Sequence, residues 1–181
     1  MSGVRGARGG ARRGFAVVSS VALMAAAAVV ATAGPAAAAD FSECLDRAGE
    51  SCLVLGFTTG GDDLRGGNDN LDVTVTLTGV STTVRNVNGS GSWGNGSFHQ
   101  VTIDLQKRFG HLVMPNEITN VALHTTFGGG IGGDNWNLNH LTVGHDWHDV
   151  LNGIHFTLLA DRFGNPLFRF TGDRKDFNVR L

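Results

Sequence analysis

The stretch TTGGDDLRGGNDNLDVTVTL, residues 58–77, decides the fold class. Its second half alternates without a break: Leu71, Val73, Val75 and Leu77 fall on one side, Asp72, Thr74 and Thr76 on the other. That period of two is the pattern of a half-buried strand. Its first half is almost all Gly, Asp and Asn, residues that accept φ > 0 and can turn several side chains toward one point. Asp62, Asp63, Asp69 and Asp72 lie within eleven residues, with Asn68 and Asn70 among them and only Arg65 to neutralise them. Such carboxylates repel unless water or a cation separates them. Ca²⁺ takes six to eight oxygen ligands at roughly 2.3–2.6 Å, and Asp and Asn side chains supply them. A solvated acidic turn accounts for the same composition.

Working outward, residues 1–39 have the layout of an export signal. Arg5, Arg8, Arg12 and Arg13 make a positive start, an Ala-rich apolar core follows, and Ala37-Ala38-Ala39 offers a small-residue cleavage site before Asp40. The run Arg12-Arg13-Gly14-Phe15 resembles a twin-arginine signal of bacterial type. Residues 40–181 are then one secreted domain, with no later stretch apolar and long enough to span a membrane. Four of the 14 Lys and Arg and none of the 16 Asp and Glu lie in the first 39 residues, so the remainder carries a formal charge of −6. A chain that acidic is a poor partner for nucleic acid, whose affinity comes largely from phosphate neutralisation. The two cysteines, Cys44 and Cys52, are expected to form one disulfide in an oxidising compartment.

Further strands are expected at residues 53–57, 82–87, 98–105, 118–127, 136–143, 153–160, 167–171 and 177–181, with Val121 and Leu123 inward and Ile154, Phe156, Leu158 and Ala160 alternating. Gly, Ser and Asn fill the intervals, and a helix is conceivable only near Cys44. Asn88-Gly89-Ser90 and Asn95-Gly96-Ser97 fit a glycosylation sequon but read as turns in a bacterial exported chain. The run Gly128–Gly133 lacks the Lys-Ser/Thr ending of a phosphate loop and delivers Asp134-Asn135-Trp136 instead, a second acidic corner. These nine short segments, about seven or eight of them strands of one sandwich, predict with such loops an all-β chain, an antiparallel β-sandwich.

The order of these motifs resembles the PLAT/LH2 family, the eight-stranded sandwich attached to lipoxygenases and several lipases. The resemblance covers residues 53–143. An early strand ends at Thr59-Gly60, the turn Gly67-Asn68-Asp69-Asn70 follows, and the next strand ends at Gly79. A strand at residues 98–105, Val121 with Leu123, the glycine run, and Trp136-Asn137-Leu138 with Leu141 and Val143 complete the series. The chain departs from the family pattern at Asn135, where Pro is common, and in a loop before Leu71 about one residue longer. The resemblance implies a non-catalytic module that docks on a lipid surface or a protein partner, sometimes through bound calcium.

On that basis Asp63, Asp69, Asp72 and Asp134, helped by Asn68 and Asn135, are the expected Ca²⁺ ligands. Trp93 and Trp147, placed by the sequence in polar loops, are the expected membrane or ligand contacts. Trp136 is expected in the core. Two other classes stay open. A calcium-dependent carbohydrate-binding sandwich would use the same acids with Trp93. A small secreted hydrolase would rest on His145-Asp146-Trp147-His148-Asp149, otherwise a polar connecting loop. His124 and His140 are expected to be ordinary surface residues. No Gly-x-Ser-x-Gly elbow in a strand-to-helix setting is present, and Gly89-Ser90-Gly91-Ser92 precedes no expected helix.

Overall fold

The structure, a computed structural model, describes residues 47–67, 69–89, 91–128 and 134–181. The export signal, Cys44 and the segment around it, Asn68 and most of the glycine run before Asp134 lie outside the described residues. The described chain contains β1 (Ser51–Thr59), β2 (Leu71–Leu77), β3 (Val80–Val84), β4 (Phe98–Asp104), α1 (Leu105–Phe109), β5 (Ile118–Thr125), β6 (Trp136–Asp149), β7 (Gly153–Phe170) and β8 (Asp176–Arg180), with a single 3-10 turn at Pro115–Glu117. They form two four-stranded antiparallel sheets, β4-β1-β6-β7 and β3-β2-β5-β8. The antiparallel sandwich of eight strands is the fold the sequence predicts.

The core lies between the two sheets, as their alternation dictates. Leu53, Leu55 and Phe57 from β1 meet Leu71, Val73 and Val75 from β2 and Val121 and Leu123 from β5, all fully buried. In β6 the inward set changes parity, from Trp136 and Leu138 to Leu141 and Val143, because the register with β7 slips between Leu138 and His140. Trp136 is the centre of the aromatic core: its ring stacks on Phe170 at 5.0 Å, and its Nε1 donates to Thr59 Oγ1 at 3.3 Å.

Three expectations need correcting. The segment His145-Asp146-Trp147-His148-Asp149 is no loop but the continuation of β6, paired with β1 on one side and β7 on the other. The expected strands at 153–160 and 167–171 are one strand, β7, which passes through Gly164-Asn165-Pro166 without ending and stops at Phe170, one residue before Thr171. The apolar alternation of Ile154, Phe156 and Leu158 faces solvent, and only Ala160 turns inward, beyond a register slip opposite Val143 and Gly144.

Candidate functional site

Strand direction divides the candidate residues between the two ends of the sandwich. β1 runs from Ser51, opposite Trp147, to Thr59, opposite Leu138. The acidic loop that follows β1 and the Asp134-Asn135 corner that precedes β6 therefore share one end. The β6–β7 hairpin and Trp147 are at the other. Eleven residues of strand separate Trp136 from Trp147, about 36 Å at ~3.3 Å per residue.

At the acidic end, a short ladder joins two loops: Leu64 and Trp93 exchange backbone hydrogen bonds at 3.1 and 2.7 Å. This ladder folds Trp93 into the core, where it is only 5% exposed. Its ring stacks on His99 at 4.6 Å and packs against Phe57 at 5.2 Å and Trp136 at 5.8 Å. The expectation of an exposed Trp93 is thus overturned. The polar residues around it in sequence belong to a loop whose backbone is satisfied by the neighbouring loop, leaving the indole free to close the core.

The carboxylates at this end are partly gathered. Arg65 Nε lies 3.2 Å from Asp134 Oδ1 and 3.7 Å from Asp63 Oδ1, and the Arg65 N–H donates to Asp134 Oδ2 at 3.2 Å. The Asp134 side chain is 3% exposed, and its Oδ1 pairs with Arg65 by charge but accepts no hydrogen bond. Burial raises the Asp134 carboxyl above its ordinary range, the Asp69 charge adds to the rise, and Arg65 and the Asn135 N–H oppose it. Asp62 is taken by Arg169, 2.9 Å away on β7. Asp72 stands apart: its Oδ1 accepts from the Asn86 N–H at 2.8 Å on the outer side of β2.

The donor set suits a hard cation in kind, since a buried carboxylate oxygen without a hydrogen bond lies beside further acids. It falls short in number. Among the described residues no group of three or more His, Cys, Asp or Glu is disposed to hold a metal ion, and Arg65 already sits against Asp134 as its counter-charge.

At the opposite end, the hairpin tip is built by Asp149. Its Oδ1 accepts from the N–H groups of Leu151 (2.8 Å) and Asn152, and its Oδ2 lies 3.2 Å from Asn152 Nδ2 and 2.8 Å from His155 Nε2. These bonds, the Asn152 N–H foremost, hold the Asp149 carboxyl down at about 2, so it stays charged at every physiological pH. Gly153 closes the turn at φ 85°, a conformation that side chains rarely adopt. The turn presents Val150 and Leu151 to solvent, 81% and 90% exposed. Trp147 is half-buried, stacked between His145 at 5.2 Å and His155 at 4.9 Å. His145 and His148, three apart on one strand, point to opposite faces. His145 is wholly buried and His148 half-exposed, so they do not converge on a common substrate or metal. His124 and His140 are partly exposed and pair with Asp176 and Asp161, as surface residues do.

The described strands have the architecture that the motif order implies. In fold the described chain is an eight-stranded antiparallel β-sandwich. No family model and no curated protein matches the sequence. Among solved structures, a LOX variant is similar with a TM-score of 0.44 and 16% identity, over 72% of this chain and 16% of that one. The alpha-toxin of an avian strain of Clostridium perfringens is similar with a TM-score of 0.49 and 14% identity, over 74% of this chain and 32% of the toxin. The match therefore spans less than a third of either protein's own length. Matches this distant carry no residue role or activity to this chain.

Sequence reasoning missed the residues exposed on and beside the hairpin: Val150, Leu151, Ile154 and Phe156. The signal was available, because Val150 and Leu151 lie between Asp149 and Asn152-Gly153, a turn composition that places them at a tip.

Proposed function

We propose that the chain is an exported, non-catalytic binding module that docks on a lipid surface through the tip of the β6–β7 hairpin. The observation that carries this reading is the presentation of Val150 and Leu151, nearly fully exposed yet fixed by the Asp149 hydrogen bonds. Isolated exposed apolar residues are ordinary, but two adjacent ones on a rigid tip, continued along β7 by Ile154 and Phe156, form a patch. Exposed Arg47, Lys107 and Arg108 lie at the same end, since residues 49–50 bond to His148 and α1 follows β4 past its pairing with Cys52. These three bases offset part of the charge of the acids at that end, so the apolar tip, not a net positive field, is what the proposal rests on. Four of the acids at that end are engaged, since Asp104 caps α1, Glu117 pairs with His111, Glu50 accepts from the Arg47 N–H and Asp149 holds the turn, while Asp146 lies on the outer face of β6.

Burying one Val or Leu contributes about 1.5–3 kcal/mol. Replacing both tip residues, as Val150→Asp with Leu151→Asp, is expected to weaken binding to anionic vesicles at least tenfold, measured by co-sedimentation of the exported protein. Unchanged vesicle binding by this variant overturns the proposal. Absence of vesicle binding by the unaltered protein directs the tip to a protein partner instead.

Calcium assistance is a separate element of the proposal. Asp63, Asp69 and Asp134 would hold the ion with Asn68 and Asn135 beside them, in place of Arg65, and the ion would brace the loops at the far end from the hairpin. Binding to the folded state alone stabilises by about 2.7 kcal/mol at a hundredfold excess over Kd. Millimolar Ca²⁺ is thus expected to raise the melting temperature by several degrees over that in EDTA. The rise should vanish in an Asp69→Ala, Asp134→Ala variant and grow in Arg65→Ala, which removes the competing cation. A melt indifferent to calcium in all three proteins eliminates the ion from the account and leaves the hairpin proposal standing.

A further inference from the structure

The outer face of the β4-β1-β6-β7 sheet carries a groove of about 310 Å³, lined by Val54, Gln100, Thr142, Gly144, Asp146, Phe156 and Leu158. Register explains its shape. Val54 lies opposite Gly144, which lies opposite Leu158, while Gly56 lies between Gln100 and Thr142. Two adjacent strands thus place glycines in the middle of the face, where neighbouring side chains close over them: Thr142 and Phe98 over Gly56, Phe156 over Gly144. The exposed Phe156 ring leans over Gly144, and a Cβ added there would come within 2.7 Å of it.

At one end of this groove is a carboxylate with no protein partner among the described residues. Asp146 pairs with Cys52 and Phe156 through the backbone ladder, and the residue is 8% exposed. No hydrogen bond or ion pair engages its side chain among the described residues. Its oxygens are not among the fully buried atoms that lack a partner, so they meet water at the groove, and a donor or cation bound there would take that water's place. The burial of Asp146 raises its carboxyl above the usual range with nothing to offset the rise. The rest of the lining combines apolar Val54, Phe156 and Leu158 with polar Gln100 and Thr142. Ligand pockets combine such walls with a few placed polar groups, and this volume is at the small end of their range.

We propose that this groove binds a small organic ammonium ion, with Asp146 taking the charged nitrogen and Phe156, Leu158 and Val54 packing against its apolar body. The chemistry is complementary on both counts. An ammonium donates hydrogen bonds and charge to the orphan carboxylate. An aryl or alkyl group covers the exposed Phe156 face, and the ammonium lies within reach of its ring quadrupole. The groove shares Phe156 with the patch beside the hairpin tip but not Val150 or Leu151, which carry the lipid-docking proposal, so its failure would leave that proposal standing.

The test is titration of the exported protein with phenethylammonium chloride, followed by backbone amide NMR shifts and by calorimetry. Shifts centred on Val54, Gly144 and Asp146 are expected. Phenethyl alcohol, which keeps the ring but not the charge, is expected to bind at least tenfold more weakly, as is phenethylammonium to Asp146→Asn, given the strength of hydrogen bonds to charged groups. Phe156→Ala, at an exposed position that leaves folding intact, should also weaken binding and serves if Asp146→Asn fails to fold. Equal binding of the alcohol and the ammonium, no binding of the ammonium at millimolar concentration, or undiminished binding to Phe156→Ala would overturn the proposal.

Discussion

Between pH 7 and pH 4 the protein is expected to lose about 3 kcal/mol of stability through His145 alone. The ring is wholly buried on β6, neither nitrogen has a hydrogen bond of good geometry, and Trp147 covers one face. Burial lowers its pKa from 6.5 to about 4, with the Val113 backbone and the Glu117 charge opposing only in part. A lowered histidine means that the unfolded chain binds more protons between those two values. Stability is therefore full above about pH 6.5 and falls by roughly 1.4 kcal/mol per unit as pH drops toward 4. His99, lowered by burial too, acts in the same direction, while the raised His111 acts in the opposite one. The comparison with His145→Leu isolates the one residue. Urea unfolding at both pH values should show the variant gaining about 3 kcal/mol on the unaltered protein at the lower pH. Parallel pH profiles would mean that His145 is hydrated or paired in the folded state.

Trp93→Ala is expected to cost about 3–5 kcal/mol, the range for truncating a large buried aromatic. The indole contacts His99, Phe57 and Trp136 at once, and it seals the core beneath the two loops joined by the Leu64 ladder. A tryptophan exposed for ligand contact would cost no more than about 0.5 kcal/mol on truncation. With total stabilities of about 5–15 kcal/mol, the difference is large in a denaturant titration. A small effect would return Trp93 to the surface and reopen the sequence-based assignment.

The fold was legible because most strands announce themselves by alternation. β2 spans the residues its pattern marks, Leu71 to Leu77, and its inward set is the one expected. Alternation fails where a strand is carried by backbone pairing through polar residues, which is why β6 continues for six residues beyond Val143, to Asp149. It misleads in β7, an edge strand whose apolar stripe at Ile154, Phe156 and Leu158 faces outward and whose parity changes at a bulge. The acidic corner was only half legible. Asp72 belongs to an alternating strand, so its outward direction already separated it from the loop acids. The Asp62 to Arg169 pair joins residues 107 apart, and Trp93 is buried by a loop contact with Leu64. No local pattern encodes either contact. The opposite placement of Asp134 and Trp147 follows from strand direction and could have been derived once both were assigned to β6.

Which end of the sandwich meets the lipid is the central question, and fluorescence quenching by brominated acyl chains answers it most directly. A tryptophan would be placed at the hairpin tip by Leu151→Trp and, in a second protein, at the acidic end by Gly61→Trp, a position where an added side chain meets open space. Docking through the hairpin predicts that brominated anionic vesicles quench added emission from the first protein and leave that of the second unchanged. Quenching of the Gly61→Trp protein alone would place the acidic end in the membrane and contradict the account.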